Sequence, residues 1–137
     1  NRANAAAPDD LFKPQFLNPD LVRWELHRVW QIEATVAPGK RHVVAKRMFY
    51  LDEDSWQILL TDGWDAQGKL WRMSYTLTEL APDVPALVGN MAWGTYNLQT
   101  GGYYLNAATN GTTQFKTVPH RPETFFSPEE LANVGAR

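Results

Sequence analysis

Between Arg23 and Val36 the chain alternates. Trp24, Leu26, Trp30, Ile32, Ala34 and Val36 fall on even positions with Arg28, while the odd positions are polar except for Val29. A period of two marks a half-buried strand. A helix fits worse, because its apolar stripe through Leu21 and Trp24 would carry Arg28. Ala37-Pro38-Gly39-Lys40 has turn chemistry, and a strand from Arg41 to Leu51 follows. The polar turn Asp52–Ser55 then leads to a strand over Trp56–Asp62, and Asp65-Ala66-Gln67-Gly68 to one from Leu70 to about Thr78. A loop with Pro82 and Pro85 precedes two further runs, about Asn90–Leu98 and Tyr103–Ala108, joined at Gly101-Gly102. The pattern predicts a mainly β (α+β) chain built on an antiparallel meander of six or more strands.

The ends read differently. Up to Pro19 the chain is rich in Ala, Asn, Asp and Pro, with apolar positions at Leu11, Phe12, Phe16 and Leu17, and predicts an irregular arm lying on something. Thr117–Arg137 carries three prolines and one short helix, with Ser127 as N-cap, Pro128 at the first helical position, Glu130 completing a capping box and Gly135 stopping it. No repeat or low-complexity linker divides the chain, so one domain is expected: an arm over 1–19, a meander over 23–108 and a tail over 117–137.

Short turns fix register, so side chains can be traced from strand to strand. Tight hairpins set Trp30 opposite Arg47, Arg28 opposite Phe49, Leu51 opposite Trp56 and Arg47 opposite Leu60. One face then collects Trp24, Leu26, Trp30, Ile32, Val43, Phe49, Leu51, Trp56, Ile58, Leu60, Trp71, Met73, Tyr75 and Leu77. The other collects Glu25, His27, Gln31, Glu33, His42, Lys46, Gln57, Thr61, Arg72, Ser74 and Thr76. Four of the six tryptophans share the apolar face, which needs a cover. Arg28 and Arg47 also fall on it, with Asp62 near the sheet end. Buried charges must be paired. The two arginines either lay their stems over the aromatics and end at Asp62 or the rim, or hold a carboxylate or phosphate head group in an apolar pocket.

Composition sharpens this. Six Trp, five Tyr and six Phe in 137 residues require a deep core or a cavity to line. Thirteen Lys+Arg against fifteen Asp+Glu give a charge of −2, without the basic excess of a nucleic-acid binder. The absence of cysteine excludes disulfides, thiol nucleophiles and Cys-ligated zinc. No run of about 18 apolar residues offers a membrane-spanning helix. His27 and His42 are expected several residue pairs apart on a solvated polar face, too far for a shared metal. Asp52-Glu53-Asp54 and the Asp62–Gly68 segment lack the glycine and distal Glu of an EF-hand. No G-x-S-x-G or glycine-rich phosphate loop occurs, and His120 has no evident partner. Neither catalysis nor a cofactor is expected.

Three segments resemble the DUF1329 family of proteobacterial proteins: Asn18–His42 (NPDLVRWELHRVWQIEATVAPGKRH), Lys46–Gln57 (KRMFYLDEDSWQ) and Phe126–Arg137 (FSPEELANVGAR). Family members are exported and several times longer, and this chain looks like their C-terminal part. The resemblance implies a curved antiparallel sheet forming an unclosed half-barrel, similar to the periplasmic lipoprotein carrier and its outer-membrane receptor, whose helices plug the concave apolar side. It carries over no catalytic residues. It implies a periplasmic protein, or one on the periplasmic side of the outer membrane, that handles a hydrophobic small molecule or lipid. The ligand-lining candidates are Trp24, Arg28, Trp30, Arg47, Phe49, Trp56, Ile58, Leu60, Trp71 and Tyr75. The alternative is an interaction module docking on an envelope transporter or outer-membrane protein. In either case the N-terminal portion of the same protein is expected to help cover the apolar face.

Overall fold

The structure is a computed structural model and describes residues 6–81, 86–106 and 118–135. A one-turn helix α1 (Pro8–Leu11) is followed by strands β1 (Val29–Thr35), β2 (Lys46–Asp52), β3 (Ile58–Trp64), β4 (Leu70–Ala81), β5 (Ala86–Asn97) and β6 (Tyr103–Asn106), then helix α2 (Pro128–Gly135). The strands form one antiparallel sheet in the order β1-β2-β3-β4-β5-β6. β1 and β6 remain at opposite edges, so the meander is not closed into a barrel. The Pro82–Pro85 loop and the predicted strand end at Ala107 and Ala108 lie outside the described residues.

Register departs from the tight-hairpin reading in two places, with different consequences. In β1–β2, Trp30 pairs with Leu51 and Ala34 with Arg47, four residues from the expected match, because residues 36–45 form a longer connection. An even slip keeps every side chain on its face. In β2–β3, Arg47 pairs with Gly63 instead of Leu60, a slip of three, and the ladder shifts between Tyr50 and Leu51. An odd slip reverses the faces. The single apolar face is therefore corrected. Trp30, Ile32, Phe49 and Leu51 share a face with Thr61, Ser74, Arg72 and Thr95, whereas Leu60, Met73, Tyr75, Tyr96 and Tyr103 share the opposite face with Gln31, Met48 and Tyr50.

The second of these, the covered face, holds the core. Leu11, Leu17 and Val22 of the N-terminal arm are buried with Tyr75, Leu77 and Ala92 of β4 and β5. Phe12, Tyr96 and Tyr103 pack at its margin, whereas Phe16 is exposed. Rings run across the strands in a ladder: Phe12 stacks on Tyr103, Tyr103 on Tyr96 at 5.5 Å, Tyr96 on Tyr75 at 5.5 Å, and Trp24 meets Tyr75 edge-on at 5.9 Å. Two hydroxyls of the ladder tie the arm down. The Leu17 amide donates to Tyr96 Oη (3.2 Å), and Tyr103 Oη donates to the Lys13 carbonyl (2.6 Å). Tyr75 bends over its cross-strand partner Gly94, where an added Cβ would lie 2.5 Å from the Tyr75 hydroxyl and closer still to the Tyr104 carbonyl.

At the C-terminus the Ser127 hydroxyl accepts the Glu130 amide (3.2 Å), the N-cap bond expected from the sequence. Pro128 opens the helix. A 3₁₀ turn over Glu123–Phe126 precedes it, and Phe126, Leu131 and Val134 of this segment stay exposed.

Candidate functional site

Arg23–Arg28, predicted as the start of a strand, is extended but unpaired, because β2 ends at Asp52 opposite Val29. This segment instead crosses the covered face and leaves a groove of about 630 Å³ between itself and the sheet. Trp24, Leu60 and Leu77 supply apolar walls, Leu26 borders the mouth with its side chain exposed, and Tyr50 and His27 supply polar groups. The volume falls inside the roughly 300–1,000 Å³ usual for small-molecule sites.

The crossing segment is held by a carboxylate. Asp52 is 4% exposed; its Oδ2 accepts the Ser55 amide (2.9 Å) and hydroxyl (2.6 Å), and its Oδ1 lies 3.0 Å from His27 Nδ1. The Ser55 hydroxyl above all, then the Ser55 amide and His27, hold the Asp52 carboxyl below the usual carboxylate range, against the effect of burial. Glu53 donates its amide to the Arg28 carbonyl (3.3 Å), joining the same segment to the β2–β3 turn. In the groove wall, Tyr50 Oη donates to Asp62 Oδ2 (2.9 Å); that bond, with burial, raises the phenol above its ordinary value. Deeper in, burial pushes the Tyr75 phenol up strongly, reinforced by Tyr96 and Tyr103, and its hydroxyl has no hydrogen-bond partner among the described residues.

The ten nominated residues are not brought together. Trp24 and Leu60 line the groove, and Tyr75 touches Trp24 behind it. Trp30 and Phe49 lie on the other, open face with Leu51. Ile58 belongs there too, lining a shallow depression of about 340 Å³ with Thr61, Ser74, Thr76 and Trp93. Trp71 falls at the irregularity of the β3–β4 ladder, outside the groove, with the Arg72 guanidinium 4.0 Å from its ring centre. Trp56 falls in a turn with φ +59° and is 68% exposed.

The two arginines do not meet each other or Asp62. Arg28 precedes β1 and donates from Nε to Glu53 (2.6 Å), with its side chain largely exposed. Arg47 lies on the open face, its guanidinium 3.4 Å from His42 Nδ1. Asp62, the expected partner of both, is on the covered face and taken by Tyr50. Sequence reasoning missed Leu26, His27, Tyr50 and Leu77 as groove residues. Leu26 and Leu77 had been read as apolar-face positions, and the unpaired crossing strand that gathers them leaves no local sequence signal.

Among the described residues no three His, Asp or Glu side chains converge as metal ligands. The Asp62–Gly68 segment closes on protein donors instead: Asp65 accepts the Gln67 and Lys69 amides and Gln99 Nε2, chiefly the last lowering its pKa.

The described residues thus form an open antiparallel meander with an apolar groove beneath a crossing segment. The family described as a protein of unknown function (DUF1329) matches residues 2–132, and the chain belongs to it. It is 51% identical over 131 residues to an uncharacterised protein of Pseudomonas aeruginosa, an alignment covering 93% of this chain and 28% of that relative. The chain thus spans less than a third of that relative's length. No solved structure matches.

Proposed function

We propose that this chain is the apolar-ligand-binding part of a non-enzymatic protein that handles a hydrophobic small molecule or lipid at the periplasmic side of the cell envelope. The groove carries this reading. About 630 Å³ between Trp24, Leu60 and Leu77 offers apolar contact along its length, while His27, Tyr50 and the Arg23–Glu25 pair form a polar edge. A ligand with an apolar body and one polar end matches that distribution. The periplasmic placement rests on the resemblance of the three sequence segments to an exported family.

Dansyl-undecanoic acid tests the reading, because tryptophan emission excites dansyl when the two are close. The wild type is expected to show saturable energy transfer that unlabelled palmitate displaces. Leu60→Asn, which puts an amide into the wall, is expected to weaken binding by about tenfold. No saturable transfer in the wild type, or equal affinity in Leu60→Asn, contradicts it.

The open face favours a second role for the same chain. Trp30 and Ile32 are 55% and 46% exposed beside Phe49 and Leu51, and uncovered apolar area of this kind marks protein contact sites. An envelope transporter, an outer-membrane protein or another part of a longer protein would satisfy it, and loss of co-purification in Trp30→Ala would identify which.

A further inference from the structure

One end of the sheet projects apolar side chains away from the core. In a meander, successive connections alternate between ends, so the β2–β3 turn and the segment entering β1 lie together, as the His27–Asp52 contact and the Glu53–Arg28 backbone bond confirm. Leu26 is fully exposed there (103%), Trp56 is 68% exposed and Ile58, which follows it, is 45% exposed. Trp56 is the only non-glycine residue with positive φ among the described residues. A bulky aromatic in the left-handed region is a strained arrangement that glycine would adopt freely. It persists because the turn is over-determined: Trp56 donates its amide to the Asp52 carbonyl (3.0 Å), Asp52 donates to Gln57 (2.9 Å), and the buried Asp52 carboxylate grips Ser55. Strain of this kind collects where a side chain must be presented in a fixed direction. A rigid turn is thus holding a large amphipathic ring out into solvent beside a bare leucine.

We infer that this tip, Leu26 with Trp56, inserts into the interfacial region of a lipid bilayer. Tryptophan and leucine are among the side chains that enter that layer favourably. Charge decides the kind of surface. The two tip segments hold Arg23 and Arg28 against Glu25, Asp52, Glu53 and Asp54, and both arginines are already paired with carboxylates. Anionic lipid therefore offers no attraction, and the contact is apolar insertion into a zwitterionic surface, insensitive to salt. Trp24, Leu26 and His27 also line the groove mouth, so a docked tip would set that mouth against the bilayer, although the insertion itself does not require an occupied groove.

Co-sedimentation of the 137-residue chain with phosphatidylcholine vesicles tests the inference, with vesicles containing phosphatidylglycerol and a salt series beside it. The wild type is expected to bind phosphatidylcholine without salt dependence and no more tightly when phosphatidylglycerol is added. Leu26→Ser with Trp56→Ser is expected to reduce partitioning by about tenfold or more. Val43→Ser should bind as the wild type, since Val43 is equally exposed (68%) but lies in the connection at the other end of the sheet. Trp56→Gly separates presentation from folding: it is expected to lose vesicle binding while keeping or raising thermal stability, because the strain is relieved. Binding that requires phosphatidylglycerol and disappears in salt would overturn the inference. So would no binding by the wild type, a Val43→Ser loss matching the tip variants, or a Trp56→Gly protein that unfolds earlier and still binds. Trp56 is not part of the groove, so dansyl-undecanoate binding by Trp56→Gly reports on the groove separately.

Discussion

Gly94 and Tyr75 show how a single pairing position constrains the sheet. A Cβ at Gly94 would meet the Tyr104 carbonyl on one side and the Tyr75 hydroxyl on the other. The first is backbone of a paired strand and cannot swing away. Gly94→Ala is expected to cost about 2 kcal/mol, lowering the melting temperature by roughly 5–10 °C in a calorimetric scan. Tyr75→Phe removes a buried hydroxyl without a partner among the described residues, so it is expected to be neutral or slightly stabilising. It should not rescue Gly94→Ala, because the Tyr104 carbonyl remains. Asp52 is the opposite case, a buried acceptor in full use. Its carboxyl is held below the ordinary value near 4, so its contribution is complete above that value and is lost as pH falls through the lower folded one. Asp52→Asn is expected to be roughly 1–3 kcal/mol less stable at pH 7, with the gap to wild type closing below pH 4 in urea titrations. In the sequence, Asp52 was one of three acidic residues in a polar turn. Its local partner is Ser55, three residues on, whereas its other partner, His27, lies 25 residues away.

At the scale of elements, strand existence was legible and strand register was not. Period-two alternation located the strands because a sheet with one buried side imposes it. The reversal at β2–β3 came from two features that alternation does not encode: the left-handed residue at Trp56, which lengthens the turn, and the irregularity at Tyr50/Leu51 that leaves Leu59 out of the ladder. Within β1–β2, and within β3–β4 from Leu60 onward, the assigned faces hold; the relation between the pairs inverts, and Ile58, before the irregularity, stays on the face of Leu51. The arm was also legible, since Leu11, Phe12 and Leu17 meet the sheet, although the α1 turn was not expected. What the sequence concealed was the ladder that receives it. Tyr75, Tyr96 and Tyr103 come from three strands. If the ladder hydroxyls fix the arm, Tyr96→Phe should leave the buried Leu17 amide without its acceptor. The expected cost is about 1–3 kcal/mol. Hydrogen exchange is expected to accelerate most at Leu17 while amides within β2 and β3 slow or hold. Equal acceleration throughout the sheet would show that the bond does not act locally.

For the whole molecule, two apolar half-faces replace the one expected. The covered side is closed by the arm over β4–β6 and left open as a groove under Trp24–His27, while the other side presents Trp30, Ile32 and the Trp93–Tyr104 ring pair to solvent. Among the described aromatics, Tyr75, Tyr96 and Tyr103 serve the core and Trp24 and Tyr50 the groove, while Trp30, Trp56, Trp93 and Phe126 stay exposed. Family membership was legible in three long motifs. The groove was only partly so: Trp24 and Leu60 were nominated, but the two arginines meant to crown the pocket are spent on Glu53 and His42. The most direct test of the groove is to place a ligand and ask which face it touches. In nuclear magnetic resonance spectra with stearate spin-labelled at carbon 16, paramagnetic broadening is expected at Leu60, Leu77 and the Trp24 indole. Broadening confined to Trp30, Ile32 and Trp93, or none at saturating stearate, would contradict the account.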